Sequence, residues 1–383
     1  MIYRQLAEEI IHLKKFYPII TITGPRQSGK TTLCHNLFPN YEYFNLEDAE
    51  VLENIKIDPK KFLRDKHDII IDEIHNYPEL FSLLQVIVDE NRDKNFILTG
   101  SSNFSLLQNI TQSLAGRTAV LTLLPLSLNE LGDIIQHIGT DALILSGGYP
   151  QLWSVNGFPR NTFYRNYYTT YVERDVRQII NIRDMTTFQK FIRLCAGRIG
   201  TEFNASNISN ETGVSVNTVI SWMSLLSASY IAYQLPPYFT NIGKRLVKTP
   251  KLYFYDTGLA CYLLNIENEI QLSTHPLRGN LFENMVINEA VKSRYNRGKD
   301  SNIYFYRDKS GNEVDLVCSN GDKLDAYEIK SAQTFTPEYF KSINYIKKLF
   351  GDKIAHSTVI YDGEQCNNST EHGLINFRDL KIV

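Results

Sequence analysis

Eight consecutive residues near the N-terminus constrain this chain more than any other feature. Gly24–Thr31 reads GPRQSGKT and satisfies the pattern G-x-x-x-x-G-K-[S/T] at every position. An apolar run, Ile19–Thr23, comes directly before the motif, and a segment with helical character, Thr32–Phe38, follows it. A strand, a glycine-rich turn and a helix in this order form a phosphate loop. The chain is therefore expected to begin with an α/β domain built on a parallel sheet.

The residues of this loop are expected to bind the phosphates of ATP. The glycines allow successive backbone N–H groups to point inward as an anion nest, and the helix that follows adds the positive end of its dipole. We expect Lys30 to reach the β- and γ-phosphates and the Thr31 hydroxyl to ligate Mg²⁺. The predicted nucleotide-binding set of this loop is Gly24, Pro25, Arg26, Gln27, Ser28, Gly29, Lys30, Thr31 and Thr32.

A second apolar run ends in two acidic residues. His67–Glu73 reads HDIIIDE, and a carboxylate such as Asp72 at the end of a buried strand is costly unless it meets a cation. Mg²⁺, bound through water, supplies that cation. Glu73 is placed to orient or deprotonate the attacking water. Each element alone is compatible with a glycine turn and an ordinary acidic pair, but together they predict an ATPase.

Two more residues are candidates for contact with the reacting phosphate. Asn103 follows the apolar run Asn95–Thr99, at the carboxyl edge of the sheet where ligands of such folds bind. Thr99 or Asn103 is expected to contact the γ-phosphate or the attacking water, and a plain turn is the alternative. Arg117 precedes the next strand and is expected to act in catalysis with Lys30 and Glu73, from its own or a neighbouring subunit. A surface arginine is the alternative.

The apolar pattern divides the chain into four regions. The strands Ile19–Thr23, Tyr41–Leu46, Asp68–Ile71, Asn95–Thr99 and Thr118–Leu123 alternate with helical segments. After Pro125 longer helical stretches dominate, and from about residue 275 a helix precedes the strands Asn302–Arg307, Glu313–Cys318 and Leu324–Ile329. We predict an ATPase domain (1–125), a helical lid region (126–200), a winged-helix domain (201–270) and a nuclease-like domain (271–383).

The amino-acid composition indicates which binding partners and which cellular compartment to expect for this chain. The formal net charge of −2 and the 43% hydrophobic content fit a globular protein without a global field for nucleic acid or membranes. No signal sequence is visible and no run of about 18 apolar residues occurs, so no membrane partner is expected. Five scattered cysteines without a C-x-x-C pair predict reduced thiols and a cytoplasmic protein.

The third region contains a helix-turn-helix pattern. Gly213 is expected at the turn, Ser215 at the cap of the second helix, and Val219 and Trp222 in the core. The segments Tyr230–Leu235 and Leu252–Tyr255, which flank Lys244, Arg245 and Lys248, complete a winged-helix pattern.

Between residues 160 and 251 twelve Lys and Arg face five Asp and Glu, interleaved with Tyr164, Tyr167, Tyr168 and Tyr171. Such a patch predicts DNA binding. A lid or protein contact is the alternative, because the exposed positions of the second helix carry no Lys or Arg. Arg174 is either a nucleotide sensor or half of a surface ion pair.

The last region arranges acids and a lysine in the spacing of PD-(D/E)xK nucleases. Asp315 lies in one predicted strand, and Glu328 and Lys330 project from one face of the next, since residues two apart share a strand face. With Glu283 from the preceding helix, these carboxylates would bind Mg²⁺, and Lys330 would position water. No proline precedes the Asp315 motif, and a structural relic without activity is the alternative.

These motifs resemble those of prokaryotic AAA-type ATPases whose C-terminal domain of unknown function has a restriction-endonuclease-like fold. The resemblance rests on Gly24–Thr32, Phe44–Asp48, Ile70–Ile74, Leu98–Ser101, Ala115–Arg117, Pro125–Ser127, Gly147–Pro150, Glu173–Asp175, Phe254–Gly258 and Phe282–Asn284. It covers essentially the whole chain and implies the four-part architecture above and a role for Arg117 in phosphoryl transfer.

Three functions remain open on these grounds. The first is an Mg²⁺-dependent ATPase that couples hydrolysis to conformational change and acts on nucleic acid, as a homo-oligomer if Arg117 comes from a neighbour. The second is a nucleotide-controlled switch for a protein partner. The third is an ATP-gated, metal-dependent nuclease that uses Asp315, Glu328 and Lys330.

Overall fold

The computed structural model describes residues 2–101, 113–173, 184–238, 248–368 and 373–380. The strands of the N-terminal region are β1 (Ile19–Thr23), β2 (Glu42–Asn45), β3 (Asp68–Asp72), β4 (Asn95–Gly100) and β5 (Thr118–Thr122). Its helices are α1 (Leu6–Leu13), α2 (Lys30–Leu37), α3 (Ala49–Ile57), α4 (Pro59–Asp65) and α5 (Glu79–Glu90). The strands form a parallel sheet in the order β2-β3-β4-β1-β5. The five strands expected from the sequence are confirmed.

Both faces of this sheet are buried because residues along each strand alternate between two apolar clusters. Ile69 and Ile71 of β3 pack with α5 on one face, while Ile70 packs with α1 and α2 on the other. A side-chain period of two along a strand produces this division. Since the strands are parallel, their carboxyl ends meet at one edge, where Thr23 lies beside Gly100 and Thr122. The loops after β1, β3 and β4 therefore converge at that edge.

The middle region is mainly helical. Its helices are α6 (Leu128–Leu131), α7 (Thr140–Ser146), α8 (Pro150–Ser154), α9 (Arg160–Tyr167), α10 (Met185–Ala196), α11 (Ala205–Thr212), α12 (Val216–Ala228), α13 (Thr257–Leu263) and α14 (Glu269–Ser273). Two antiparallel strands, β6 (Ala232–Leu235) and β7 (Lys251–Phe254), follow α12. None of the helices in the described part of the chain combines the length and the apolar composition that crossing a membrane requires.

The helix-turn-helix geometry expected from the sequence is present in α11 and α12. Gly213 ends α11 with φ of 78°, a left-handed conformation that glycine adopts without steric cost. The Ser215 hydroxyl caps α12 by accepting a hydrogen bond from the Thr218 N–H at 3.1 Å. Val219 and Trp222 are buried. The apolar face of α12 therefore packs inward, as its residue spacing predicts.

The C-terminal region is a second α/β unit. Its elements are α15 (Arg278–Tyr295), β8 (Ile303–Arg307), β9 (Glu313–Asn320), β10 (Lys323–Lys330), α16 (Lys341–Phe350), β11 (Ile354–Tyr361), β12 (Asn367–Asn368) and β13 (Gly373–Asn376). They form a six-stranded sheet in the order β12-β13-β11-β10-β9-β8. β9 and β10 form an antiparallel hairpin, and α16 connects β10 to the parallel strand β11. The helix and the three strands expected here are confirmed.

One hydrophobic core runs through the middle and C-terminal regions. A single cluster of buried residues extends from Leu124 to Leu380, including Trp222 of α12, Phe282 of α15 and Phe305 of β8. The boundaries drawn at residues 200 and 270 cross this core. The regions that the sequence distinguishes by pattern are therefore packed against each other in the folded chain.

Candidate functional site

The phosphate loop joins β1 to α2 through a backbone that requires glycine at both ends. Gly24 has φ of 145°, and a Cβ atom there would lie 2.2 Å from the carbonyl oxygen of Leu123. Gly29 precedes α2 with φ of 93°. Both conformations are strained for residues with a Cβ atom, and Gln27 between them also has a positive φ, of 62°. The loop therefore wraps closely around the space in front of α2.

Lys30 lies in the first turn of α2 and is nearly fully buried. Its ammonium group donates hydrogen bonds to the carbonyl oxygens of Gly24 and Pro25 at 3.0 and 2.9 Å. Burial lowers the pKa of Lys30, while the carboxylates of Glu73 and Asp72 act in the opposite direction. A buried ammonium inside an anion-binding loop is suited to pair with phosphate.

Asp72, at the carboxyl end of β3, is surrounded by hydroxyl groups. Its Oδ2 atom accepts hydrogen bonds from Thr31 at 2.8 Å and Tyr43 at 2.6 Å. Its Oδ1 atom accepts a hydrogen bond from Thr99 of β4. Thr31 and Asp72, which are 41 positions apart, therefore lie together as the sequence predicted. The contribution of Tyr43 was not foreseen, because no motif found in the sequence includes this residue.

Glu73 follows Asp72 in a left-handed conformation with φ of 53°, which turns its side chain toward β4. The Glu73 carboxylate accepts a hydrogen bond from the Ser101 N–H at 3.0 Å, and Nδ1 of His75 lies 3.1 Å from it. Burial alone would raise the pKa of Glu73, but His75 and the Lys30 ammonium outweigh burial and lower that pKa to about 2. The carboxylate is therefore ionised at neutral pH, as a base that accepts a proton from water must be.

A cavity of about 1170 Å³ opens in front of these residues. Arg26, Gln27, Thr31, Thr32 and Glu73 line it from the sheet edge. Residues outside the motifs close it, namely Tyr3 and Arg4 near the N-terminus and Pro150, Gln151 and Tyr171 of the middle region. A cleft of this size between two regions can enclose a nucleotide.

Arg4 fixes the phosphate loop from outside the motif. Its guanidinium donates hydrogen bonds to the carbonyl oxygens of Ser28 at 2.6 Å and Leu124 at 2.5 Å. It also pairs with the buried Glu130 carboxylate at 3.1 Å. No sequence pattern indicated this role for Arg4, since all three partners are distant in sequence.

The residues at this edge fit Mg²⁺. The Thr31 hydroxyl and the Asp72 carboxylate supply hard oxygen donors 2.8 Å apart, next to the cavity and within the field of the phosphate loop. Thr31 and Asp72 would hold the ion, which would supply the positive charge that polarises phosphate.

The structure does not bring Arg117 to the phosphate loop. Arg117 precedes β5, whose first residue, Thr118, lies beside Ile19 at the opposite end of β1 from Gly24. Its guanidinium makes a two-point ion pair with the exposed Asp89 carboxylate, with both distances at 2.8 Å. A role in the same subunit is therefore wrong for geometric reasons, and action on a neighbouring subunit stays a prediction. Asn103 and Arg174 lie outside the described residues.

The C-terminal acids lie on the elements that the sequence predicted. Glu283 is on α15, Asp315 on β9, and Glu328 and Lys330 on β10. Asp315 accepts a hydrogen bond from the Ile329 N–H at 2.8 Å, and Lys330 pairs with Glu328 at 2.6 Å. The antiparallel register, which places Leu316 opposite Tyr327, brings these side chains to one place.

A lysine from outside this region also enters the cluster. The ammonium group of Lys251, on β7, lies 3.2 Å from Glu283 and contacts Glu313. Burial, which by itself lowers the pKa of Lys251, is outweighed by Glu283, Asp315 and Glu313, so that pKa is raised. Burial raises the pKa of Glu283 to about 7 and that of Glu328 to about 8.

This arrangement corrects the predicted metal site at Glu283, Asp315 and Glu328. Among the described residues, no group of three or more His, Cys, Asp and Glu side chains is arranged to hold a metal ion. Glu283 instead faces the ammonium group of Lys251, which the sequence did not place there, and Glu328 pairs with Lys330. The residues present therefore do not fit Mg²⁺ at this place.

The tyrosines of the predicted DNA-binding patch are also placed differently from expectation. Tyr164, Tyr167, Tyr168 and Tyr171 are all at most 5% exposed and belong to the shared core. Their rings are therefore not available for stacking on bases. Lys244 and Arg245 of the predicted basic connection lie outside the described residues.

Comparison with known proteins agrees with the fold of the N-terminal region. Residues 17–132 match the family model described as an AAA domain. Residues 139–270 and 278–379 match two domains of unknown function, DUF8612 and DUF4143. The N-terminal match supports ATP binding and ATPase activity, whereas the two other matches assign no activity.

Proteins of three organisms are similar to most of this chain. The chain is 28% identical over 351 residues to uncharacterized proteins of Mycobacterium bovis and Mycobacterium tuberculosis, covering 91% of this chain and 77% of each relative. An uncharacterized protein of Methanocaldococcus jannaschii is 21% identical over 340 residues, with 80% and 73% of the two chains covered.

A solved structure, the Walker-type ATPase of Pyrococcus abyssi, aligns with a TM-score of 0.47 at 14% identity, over 68% of this chain and 94% of that one. The motif, the parallel sheet and the family match agree on one assignment. They support a P-loop ATPase fold for the N-terminal region, which is similar to the AAA domain over residues 17–132.

Proposed function

We propose that the chain is an Mg²⁺-dependent ATPase in which hydrolysis changes how the middle region packs on the phosphate loop. The observation that carries this proposal is the convergence of Lys30, Thr31, Asp72 and Glu73 at one edge of the sheet. Lys30, Thr31 and Glu73 line one cavity there, and Asp72 accepts a hydrogen bond from Thr31. Lys30 binds the β- and γ-phosphates, Thr31 and Asp72 hold Mg²⁺, and Glu73 orients the attacking water.

The coupling to the middle region runs through residues next to the loop. The Tyr230 hydroxyl, at the end of α12, lies 2.5 Å from the hydroxyl of Thr23, the residue before Gly24. Tyr171, which also lines the cavity, donates a hydrogen bond to the Ser229 carbonyl oxygen at 2.9 Å. One hydrogen bond therefore links Thr23, which precedes the phosphate loop, to Tyr230, which follows the helix-turn-helix.

Steady-state hydrolysis of ATP with and without Mg²⁺ tests this function. We expect Lys30→Ala to lose nucleotide binding, and Glu73→Gln to bind ATP but to hydrolyse it at least about a hundredfold more slowly, as general-base removal does. Lys61→Ala, an exposed lysine on α4, is the matched control and should behave as the wild type. Turnover that survives Glu73→Gln would overturn the assignment of the base.

A nucleotide-controlled switch for a protein partner is the second candidate, and one surface favours it over action on nucleic acid. The exposed face of α12 carries Val216 and Ile220, one turn apart and 38% and 50% exposed. No Lys or Arg occurs between Ser215 and Ala228. Phosphate binding needs such cations, whereas exposed apolar residues are typical of protein contacts. Stimulation of turnover by double-stranded DNA would contradict this preference.

Two further proposals follow from the position of particular residues. Arg117, at the far edge of the sheet, can reach a nucleotide only in a neighbouring copy, so its catalytic role requires a homo-oligomer. A cytoplasmic location is in keeping with the cysteines, all five of which are unpaired and four of which are buried.

A further inference from the structure

Lys251 lies inside the acidic cluster of the C-terminal region although it belongs to the middle region. Its side chain is only 5% exposed. The ammonium group lies 3.2 Å from a carboxylate oxygen of Glu283, contacts Glu313, and lies 5.5 Å from the centre of the Phe305 ring. These partners come from α15, β9 and β8, so three elements of the C-terminal region surround one lysine.

The backbone holds Lys251 in this place from both sides. β7 pairs with β6 on one side, where Lys251 lies opposite Leu235. On the other side, the N–H of Leu252 donates a hydrogen bond to the Thr201 carbonyl oxygen at 2.9 Å. Strand pairing therefore fixes the backbone of Lys251 beside the cluster.

The chain that leaves β6 continues this contact. The N–H of Tyr238 donates a hydrogen bond to the Phe305 carbonyl oxygen at 2.7 Å, and the N–H of Phe305 donates one to the Pro236 carbonyl oxygen at 3.2 Å. Backbone hydrogen bonds therefore join the chain after β6 to the edge strand β8, and the Lys251 side chain joins β7 to the acidic cluster.

The cluster needs a cation. Glu283, Glu313, Asp315 and Glu328 bring four carboxyl groups together, and buried carboxylates are costly unless they are paired. Glu328 is 5% exposed, and its Oε2 atom accepts no hydrogen bond from the described residues. A divalent cation would have to lie about 2.0–2.6 Å from several of these oxygens. The Lys251 ammonium already lies against Glu283, one of the carboxylates that would have to ligate such an ion, and it also contacts Glu313.

We infer that Lys251 serves, beside Lys330 and Arg307, as a resident cation of this cluster and that its ammonium group excludes a divalent metal ion from it. The lysine joins the middle region to the C-terminal region, and the acids serve as its counter-ions. Removal of the Lys251 charge leaves a cluster of carboxylates with an open cation position, which a divalent ion of the Mg²⁺ or Mn²⁺ class can then fill. Hydrolysis of nucleic acid by a metal ion at this place is not possible while Lys251 is in position.

Binding of Mn²⁺ to nucleotide-free, full-length protein tests this inference, measured by loss of the electron paramagnetic resonance signal of free Mn²⁺. All proteins carry Asp72→Asn, so that the nucleotide site does not contribute. With Lys251 intact we expect no saturable site. Lys251→Met, which keeps the apolar stem on Phe305, should gain one site, and Lys251→Met with Glu283→Gln should lose it again. Lys248→Ala, an exposed lysine close in sequence, is the control and should gain none.

Thermal unfolding of the same proteins gives a second readout. Lys251→Met should unfold at a lower temperature than the parent, and either Mn²⁺ or the added Glu283→Gln change should restore part of the loss. If Lys251→Met does not fold, recovery of folding by Glu283→Gln supports the inference, and lack of recovery overturns it. A saturable Mn²⁺ site that is present with Lys251 intact and lost on Glu283→Gln overturns it, as does a folded Lys251→Met protein that gains no site.

Discussion

At the scale of single residues, the nucleotide site depends on buried polar groups whose partners are far away in sequence. Asp72 accepts hydrogen bonds from Thr31, Tyr43 and Thr99, which come from three different elements. Arg4 connects the phosphate loop to Glu130. Removing one member of such a buried network leaves the others without partners, so its effect exceeds that of an exposed pair.

Arg4→Met is expected to lower both stability and affinity for ATP. It removes the guanidinium from the Glu130 carboxylate, whose side chain is fully buried, and breaking a buried pair in this way costs about 3–5 kcal/mol. The loop also loses its support at the Ser28 carbonyl oxygen. Denaturant unfolding and calorimetric titration with ATP would measure the two effects.

The control for Arg4 is an ion pair on the surface. Lys56 and Glu53 are 42% and 74% exposed, and such pairs contribute about 0–1 kcal/mol. Lys56→Ala should therefore leave stability and ATP affinity nearly unchanged. A similarly small loss for Arg4→Met would contradict the role assigned to Arg4.

At the scale of elements, two glycines end strand and helix for different reasons. Gly24 is confined by backbone, because a Cβ atom would lie 2.2 Å from the Leu123 carbonyl oxygen. Gly213 has a positive φ of 78° but open space around it, with no atom within 4 Å of an added Cβ among the described residues. A side chain at position 24 is excluded by contact with the backbone, whereas a side chain at position 213 is disfavoured only by the backbone conformation.

Alanine substitutions should separate these two cases. Gly24→Ala must displace the backbone between β1 and the phosphate loop, so we expect nucleotide binding to be lost. Gly213→Ala should cost about 1 kcal/mol, the conformational penalty at such a helix end, and should leave ATP affinity unchanged. Calorimetric titration with ATP and thermal unfolding of both variants would test this. Unchanged ATP binding by Gly24→Ala would contradict the explanation by close contact with Leu123.

At the scale of the whole molecule, the middle and C-terminal regions share one core while the ATPase sheet has its own. The cluster from Leu124 to Leu380 includes residues of both regions. The apolar clusters on the two faces of the ATPase sheet are separate from it. Residues from 124 onward are therefore expected to unfold together, because neither region can bury its apolar surface alone.

Fragments of the chain test this shared core. A fragment of residues 271–383 should be unstable, since Phe282 and Phe305 would lose their partners in the middle region. A fragment of residues 124–383 should keep helical and strand structure and unfold in one transition. Circular dichroism during thermal unfolding distinguishes them, and a cooperative transition for residues 271–383 alone would show that the shared core is dispensable.

The contact between Thr23 and Tyr230 joins the residue before the phosphate loop to the segment that follows α12. Tyr230→Phe keeps the buried ring and removes the hydroxyl, so the fold should persist with a loss of about 1 kcal/mol, as for a typical hydrogen bond. We expect ATP binding to remain and the protection of α12 amides on ATP binding, measured by hydrogen exchange, to be lost. Equal protection in wild type and variant would contradict coupling through this contact.

The sequence by itself determined the strands of the ATPase region and predicted the residues of its nucleotide site. Apolar runs predicted the five parallel strands, and Gly24–Thr31 with Asp72 and Glu73 predicted a nucleotide site at their carboxyl edge. The strands are confirmed and the match of residues 17–132 to an AAA domain supports ATP binding, because strand periodicity, glycine conformation and phosphate binding are properties of short segments.

Only the tertiary structure decided which charged and aromatic side chains meet. It placed Arg117 at the far edge of the sheet, buried the tyrosines between Tyr164 and Tyr171, and moved Lys251 into the acids of another region. Each outcome depends on how distant surfaces pack, because a side chain has the same sequence neighbours whether it ends in solvent or in the core. That packing determines which cation lies opposite a buried carboxylate, and no local sequence pattern predicts it.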